Sequence, residues 1–486
     1  MGATARRMSW LVLLLLLLAG CDYERPAVPD TTSGDASWVI GDTEEPDDVA
    51  PTDIETGTVA DSGPPEPDTD PSDPDDAGQP DAGTKSYPNF ETAVREFLGQ
   101  SKASGAAVAI VDGGRVTLAK GYGSKYRNQE GPVDAETLFG TYGLTQSVTA
   151  LGVLSAQKDT ELDVTKPVKD YIDYFEAKPE NAADKITAAQ LLSHTSGYPN
   201  WINHPSYSGM LTSPRSLAGI FREKTDVDML SSPGSLYNVS SSGYALAALT
   251  MQEAVERPYR DAIGARVFDA AGMPTATFRP SDQNNRAFGY YDQQGQLKSF
   301  DPGIRPDHPF SDAYHGLHMG AEDLGSLLKL LVNEGRPVLN SETYDAMLET
   351  RVPDRRDTIN GRTTMGFQRR TTNNGTNIYL KTGVGGGFSG ILAFVPSRDF
   401  GMAVMTNWGP NNPAVNKILA QAFNRVVGMS VPNPVESFPR SEWSKLTGDY
   451  DDSLFLGHIK VEQEGNGDLT IEFKDAGETR PLNHVY

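Results

Sequence analysis

The chain has 486 residues, enough for one large domain or two ordinary domains with tails. Its net charge is −23, and a single cysteine excludes a framework of disulfides within the chain. The 63 residues from Asp22 to Thr84 contain 19 acidic side chains and one basic side chain, so most of the charge lies there. The rest of the chain is mildly acidic and shows no basic patch, so we expect no nucleic-acid partner.

Residues 1–21 have the organisation of an export signal. Arg6 and Arg7 precede an apolar stretch from Trp10 to Leu18, which is too short to cross a bilayer. The segment ends Leu-Leu-Ala-Gly-Cys21, which resembles a bacterial lipobox. This implies a lipid on Cys21 and a membrane partner through that anchor, on the exported side of a membrane that the sequence does not specify. An ordinary signal peptide with an incidental cysteine is the alternative.

Residues 22–86 are rich in Asp, Pro and Thr and contain almost no apolar runs. Such a composition cannot bury enough surface to offset the entropy of ordering, so we predict a disordered acidic tether. Calcium binding by the Asp-Pro repeats is the alternative, although their spacing is irregular and matches no EF-hand loop.

Periodic segments begin at Tyr87, and the strand patterns lie towards both ends of the remaining chain. The region between them is mostly helical in pattern, which indicates an α+β fold. The predicted elements in order are a helix over 90–98, a hairpin of strands 106–111 and 116–121, strands 378–381, 390–395 and 401–406, and a helix over 413–427.

The stretch from Glu136 to Leu154 has an apolar face typical of a buried helix that starts near Phe139. It resembles the nucleophile helix of the serine β-lactamases, penicillin-binding proteins and related esterases. In that family a serine and a lysine three residues later, S-x-x-K, supply the nucleophile and a group that removes its proton. The aligned positions here are Gly143 and Gln146, which can do neither.

Further motifs follow in the order the family has them. Leu191 to Pro199 resembles its L-L-x-H-T-S-G-x-P signature, and Pro233 to Tyr244 resembles P-G-x-x-F-x-Y-S-N-x-G-Y. In the second motif the tyrosine that shuttles protons and the asparagine that contacts the acyl group become Val239 and Ser241, whereas Ser240 keeps the middle serine. The resemblance therefore implies an active site from which the reactive groups have been removed.

The third family motif is intact as Lys381-Thr382-Gly383. In active relatives this lysine and threonine help to bind an anionic substrate, and the backbone amides aligned with Gly143 and Val384 form an oxyanion hole. The resemblance therefore implies a binding set of Lys381, Thr382, Gly383, Val384 and Ser240. A carboxylate-bearing small molecule or a peptidoglycan-like peptide would suit a site of this kind, with no cofactor and no metal.

A displaced nucleophile is the main alternative. Ser155 and Lys158 form a literal S-x-x-K, but Ser155 lies about 18 Å along the helix from Gly143. Ser240 has no evident base, and the family uses the segment around His194 mainly for structure. His315 and His318 have no spacing typical of zinc ligands.

Together these patterns predict a β-lactamase/transpeptidase-like domain over 87–430: an antiparallel sheet flanked by terminal helices, with an inserted mainly helical subdomain. A small β appendage is predicted over 440–486. The function implied is that of a catalytically impaired, envelope-anchored relative that binds a ligand or acts as a scaffold. An active serine hydrolase of β-lactamase, D-Ala-D-Ala peptidase or esterase type and a purely structural envelope protein are the alternatives.

Overall fold

The computed structural model describes most of the chain after residue 86. The described residues are 6–7, 87–127, 131–179, 181–200, 216–225, 227–281, 285–293, 296–302, 309–351, 362–372, 375–409, 418, 447–452, 457–465, 469–474 and 478–481. The predicted tether, the predicted lipid site at Cys21 and the predicted helix over 413–427 lie outside the described residues, apart from the single position 418.

The helices fall almost entirely between the predicted hairpin and the C-terminal strands. They are α1 (Pro88–Gln100), α2 (Thr145–Lys158), α3 (Ala188–Leu192), α4 (Leu217–Glu223), α5 (Ser241–Ala254), α6 (Tyr259–Ile263), α7 (Pro309–Asp312), α8 (Ala321–Val332) and α9 (Ser341–Leu348). A π-helix, Gly264–Asp269, continues α6. None of the helices among the described residues is both long enough and apolar enough to span a lipid bilayer.

The main sheet is antiparallel and has seven strands, in the order β3-β2-β12-β11-β10-β9-β8. Its strands are β2 (Gly105–Asp112), β3 (Arg115–Gly123), β8 (Arg362–Thr363), β9 (Gln368–Thr371), β10 (Asn377–Gly385), β11 (Phe388–Val395) and β12 (Phe400–Thr406). The first and last segments of the domain meet in this sheet, because Val404 of β12 lies opposite Val108 of β2. This confirms the predicted β-lactamase/transpeptidase-like sheet.

Both faces of the main sheet are covered, which explains why its central strands read as nearly continuous apolar runs. Successive side chains of a strand point to opposite faces. Accordingly Ala106, Val108 and Ile110 belong to the core that contains α1, whereas Ala107, Ala109 and Val111 belong to the core that contains α2 and α8.

The remaining strands form smaller sheets. Two pairs are β4 (Phe139–Gly140) with β7 (His318–Met319), and β5 (Gly289–Gln293) with β6 (Gln296–Phe300). The predicted C-terminal β segment is present as an antiparallel meander of β13 (Gly448–Asp452), β14 (Gly457–Gln463), β15 (Leu469–Phe473) and β16 (Glu478–Pro481). The two-residue β1 (Arg6–Arg7) pairs in parallel with β13.

The segment around the vacant nucleophile position differs from the sequence prediction at its start. Phe139 and Gly140 form the short strand β4, a 3-10 turn covers Tyr142–Leu144, and α2 begins only at Thr145. The prediction of a helix from Phe139 was therefore wrong by about a turn and a half. Every residue of α2 from Thr145 to Ala156 is buried, so the helix is enclosed on all sides rather than on one face.

Candidate active site

The site is assembled from three segments far apart in the chain: the start of α2, the start of α5 and the centre of β10. Strand β10 holds Lys381, Thr382 and Gly383 in register with Leu392, Ile391 and Gly390 of β11. The 3-10 turn before α2 packs directly against this part of β10, so Gly143 faces Thr382 and Gly383. The three family motifs therefore converge as the resemblance implied.

The position of the missing nucleophile is closed as well as empty. A Cβ atom built on Gly143 would lie 2.4 Å from the carbonyl oxygen of Thr382 and 3.3 Å from the Cα atom of Gly383. Cβ atoms do not approach a backbone oxygen this closely. A side chain at position 143 therefore requires the turn before α2 and strand β10 to move apart.

The contact between the turn before α2 and strand β10 is equally tight when viewed from β10. A Cβ atom built on Gly383 would lie 2.1 Å from the carbonyl oxygen of Thr141. Beyond it, the Tyr142 side chain lies against the turn after β10, where a Cβ atom on Gly386 would be only 1.6 Å from the Tyr142 hydroxyl. Gly386 also has a φ of +50°, in the left-handed region that favours glycine. Glycines on both segments thus permit the close approach.

Gln146 occupies the position of the family's catalytic lysine and contacts the lysine that remains. Its Oε1 atom accepts a hydrogen bond from Nζ of Lys381 at 2.5 Å. Burial lowers the pKa of Lys381 to about 7. The ring centroid of Tyr244 lies 5.6 Å from the same nitrogen. Among the described residues no carboxylate lies within ion-pair distance of Lys381, so the amine has only neutral partners.

His194 supports the start of α5 and holds no position typical of a general base. Its Nδ1 accepts a hydrogen bond from the backbone N–H of Ser240 at 3.1 Å, and its ring is 5.0 Å from that of Tyr244. Burial, and then the charge of Lys381, lower the pKa of His194 well below its ordinary value of 6.5. The imidazole is therefore neutral and fixed, which agrees with the structural role implied for this segment.

The hydroxyl of Ser240 is also committed to the fold. It accepts from the backbone N–H of Gly243 at 2.9 Å, which caps α5, and donates to the carbonyl of Pro199 at 3.1 Å. Ser241 is buried, and its N–H donates to Oδ1 of Asn200. Val239 is 39% exposed and Val384 is 42% exposed, and Thr382 is exposed as well. The predicted role of Ser240 and Val384 in ligand binding stays a prediction.

The other hydroxyls near the site are engaged in the same way. Ser155 is buried and donates to the carbonyl of Gly152 at 2.7 Å, so the literal S-x-x-K lies inside the helix packing. Ser147 donates to the carbonyl of Gly366, and Thr145 pairs with Thr141. Each of these hydroxyls is held by a partner of the fold, and none faces a base in the arrangement that nucleophilic catalysis requires.

A groove of about 930 Å³ lies between α8, α9 and the turns at the far end of β10, and the motif residues do not line it. Within the described part of the chain, no group of three or more His, Cys, Asp or Glu side chains is placed to hold a metal ion.

Sequence reasoning missed two features of the site: the contact between Gly143 and Thr382 and the hydrogen bond between Gln146 and Lys381. Both contacts join residues more than 200 positions apart. The family motifs imply that these segments belong to one site, but they do not show which atoms are in contact. The run Gly385-Gly386-Gly387 signals a different close approach, that of the Tyr142 side chain to the turn after β10, because glycines leave room for it.

Comparison with known proteins supports the family resemblance and the fold. A family model described as Beta-lactamase matches residues 90–425. Protein flp of Staphylococcus aureus (strain MW2) is 22% identical over 347 residues, which cover 70% of this chain and 67% of that protein.

Two solved structures share the fold. The octameric penicillin-binding protein homologue from Pyrococcus abyssi has a TM-score of 0.60 at 19% identity, covering 81% of this chain and 89% of that one. The class C β-lactamase from Rhodobacter sphaeroides has a TM-score of 0.54 at 20% identity, covering 70% of this chain and 99% of that one. At these identities the likeness concerns the fold alone.

Proposed function

This chain belongs to the Beta-lactamase family, and we propose that within it the protein is a non-hydrolytic member that binds a carboxylate ligand at the cell envelope. The observation that carries the proposal is the contact of Gly143 with the carbonyl of Thr382, 2.4 Å from where a Cβ atom would lie. A member of the family that still hydrolysed its substrate would keep space for a nucleophilic side chain, whereas here β10 fills that space.

Loss of both reactive groups has a large kinetic cost. In subtilisin, removal of the nucleophile or its base lowers kcat by roughly 10⁶, although binding and oxyanion stabilisation leave a residual rate. In this chain the serine, the lysine and the tyrosine positions are Gly143, Gln146 and Val239. We therefore expect no hydrolysis above the residual rate that substrate binding and oxyanion stabilisation can supply.

The ligand class follows from Lys381. An ammonium has three N–H donors, and Gln146 accepts one of them, so two remain for a ligand. The adjacent Thr382 is exposed and adds a hydroxyl. A carboxylate would supply the missing counter-charge, which favours the protonated form of the amine. A small carboxylate or the carboxyl end of a peptidoglycan-like peptide fits this chemistry.

Envelope anchoring belongs to the same proposal and rests on the N-terminal sequence. An export signal that ends in Cys21, followed by an acidic stretch of about 60 residues, would hold the domain away from a membrane surface. Growth with a radiolabelled fatty acid tests this directly. Label is expected on the wild-type chain and none on Cys21→Ser; label on both would contradict the anchor.

The binding test uses the full chain and two matched ligands, N-acetyl-D-alanyl-D-alanine and its C-terminal amide. The free acid should raise Tm at pH 6, where Lys381 is protonated, and the amide should not. The shift should vanish at pH 9 and in Lys381→Met. Equal shifts with both ligands, or none with either, would overturn the carboxylate site and favour the structural alternative.

The catalytic test is separate. The full chain is incubated with a chromogenic β-lactam and with a fluorophosphonate, and product and protein mass are followed. We expect less than one equivalent of product and no phosphonylated hydroxyl. Sustained turnover, or a phosphonyl group mapped to a serine, would establish the alternative of an active hydrolase with a displaced nucleophile.

A further inference from the structure

The described surroundings of the Lys381 amine are neutral. Its hydrogen-bond partner is the amide oxygen of Gln146 at 2.5 Å, and the ring of Tyr244 lies 5.6 Å away. The nearby His194 is also neutral, because burial and the charge of Lys381 lower its pKa well below 6.5. Exposed lysines on the same domain contrast with this, as Lys102 and Lys120 pair with Asp292 and Glu91.

Such surroundings favour the free base of an amine over its ammonium form. Removing a lysine from water without supplying a carboxylate penalises the charged state. Burial accordingly brings the pKa of Lys381 down to about 7. The amide oxygen of Gln146 accepts an N–H from the free base as readily as from the ammonium, so the lone pair on nitrogen stays available.

We propose that Lys381 is itself a nucleophile and that small activated acyl compounds acylate its amine once, forming a stable amide. The nitrogen attacks the carbonyl carbon, the bond from that carbon to the leaving group breaks, and one amine proton passes to the leaving group through solvent. Because an amide does not hydrolyse at a useful rate without further catalysis, the reaction ends after one equivalent and is not turnover.

This inference goes beyond the proposed function and does not rest on it. Carboxylate binding uses the protonated form of Lys381 and is favoured at low pH, whereas acylation uses the free base and is favoured at high pH. A protein that bound no carboxylate could still be acylated at Lys381, and the reverse also holds.

The free-base fraction gives the expected selectivity. At pH 8 a lysine of pKa about 7 is roughly 90% free base, whereas an ordinary lysine near 10.4 is roughly 0.4% free base. The intrinsic nucleophilicity of a weaker base is lower, so the gain in rate is smaller than this ratio. Lys381 should nevertheless react well before the surface lysines.

Access sets the size of the reagent. The amine nitrogen lies among protein atoms, while part of the surface of Lys381 reaches solvent and its neighbour Thr382 is exposed. A two-carbon acyl group is therefore the appropriate probe, and bulky acyl donors should react more slowly.

The experiment treats the full chain with p-nitrophenyl acetate at pH 6 and pH 8 and follows intact mass, with peptide mapping of the product. We expect one acetyl group on Lys381, formed roughly ten times faster at pH 8 because the free base rises from about 10% to about 90%. The adduct should survive hydroxylamine, which removes acetyl esters from serine hydroxyls. First labelling of a hydroxyl or of the surface lysines would overturn the proposal.

The matched variant is Gln146→Glu, which keeps the shape of the side chain and places a carboxylate beside the amine. It should restore an ordinary pKa and slow acetylation of Lys381 at pH 8 by at least tenfold, an effect that a merely structural role would not produce. Lys185→Arg removes an exposed lysine and should leave the first labelling event unchanged. Unaltered labelling in a folded Gln146→Glu protein, checked by circular dichroism, would contradict the inference; if that variant does not fold, the mapped site in the wild-type chain decides alone.

Discussion

Nζ of Lys381 and Oε1 of Gln146 lie 2.5 Å apart, and this hydrogen bond joins the surviving motif lysine to the residue that replaces the catalytic lysine. In the family arrangement this pair of positions would hold two amines. Here a neutral amide faces one amine, so the site carries at most one positive charge and no buried repulsion.

The titration of Lys381 predicts how the free energy of unfolding depends on pH. Its pKa is about 7 in the folded protein and near 10.5 when unfolded, so between these values the unfolded state binds a proton that the folded state does not. Stability should therefore rise with pH from 7 towards 10.5, by on the order of 1 kcal/mol per pH unit from this group. Urea unfolding at pH 7 and pH 9 measures it.

Lys381→Met is the control for that measurement. Because methionine does not titrate, the variant should lose the rise between pH 7 and pH 9 and should be nearer to the wild-type stability at the higher pH. Identical slopes in the two proteins would show that Lys381 titrates normally in the folded state.

Gly143→Ala should destabilise the domain by about 1–3 kcal/mol, the usual cost of forcing extra atoms into a packed contact. The added methyl would meet the carbonyl of Thr382, which belongs to the main sheet and cannot rotate away. The measurement is urea unfolding, compared with Gly264→Ala.

Gly264 makes a suitable control because it has a helical conformation and a Cβ atom there would meet nothing within 4 Å. Gly264→Ala should be neutral or stabilise the domain by up to about 1 kcal/mol, since alanine is the better helix former. Similar losses from both substitutions would argue against a closed contact at Gly143.

The double variant Gly143→Ser with Gln146→Lys should not recover acylation by a β-lactam. The new serine meets Thr382, and the new lysine meets the amine of Lys381 without a counter-ion, so the cost of buried like charges is added to that of overpacking. Intact mass after incubation with benzylpenicillin provides the readout, with thermal unfolding in parallel. An ester on the introduced serine would mean that β10 moves aside easily.

Ser240→Ala should lower stability by about 1–2 kcal/mol, because Ser240 caps α5 and its hydroxyl also donates to Pro199. Labelling of Lys381 by p-nitrophenyl acetate should be unchanged in the variant. Ser216→Ala, at the cap of the short and more exposed α4, should cost less and serves as the comparison. Loss of all labelling in Ser240→Ala, with the fold intact, would identify Ser240 as the reactive group.

The elements of the main sheet could be predicted from local pattern. Strands 106–111 and 116–121 around Asp112 and Gly113 appear as the hairpin of β2 and β3, and strands 390–395 and 401–406 appear as β11 and β12. Alternation, apolar runs and turn residues are local signals. The edge strand β8 and its neighbour β9 were missed. Gln368, Arg369 and Arg370 of β9 are polar, and the strand structure of β9 depends on pairing with β10 on one side and β8 on the other.

The candidate site divides in the same way. Alignment with family motifs identified Gly143, Gln146 and Lys381, because each motif is local in sequence. It could not show that the first two residues contact Thr382 and Lys381, since a distance between α2 and β10 depends on packing across the whole domain. A glycine at position 143 therefore does not reveal whether the space for a nucleophilic side chain is still open or is filled by β10.

The closure at Gly143 also determines the order in which mutation could rebuild an enzyme here. Because the serine alone clashes with Thr382 and the lysine alone meets Lys381, each first step lowers stability before any activity can compensate. Substitutions that move β10 outward, for example among the glycines beneath Tyr142, would have to come first. Evolution back to hydrolysis is thus hindered by the fold itself, and homologues that share this contact would be expected to remain without a nucleophile.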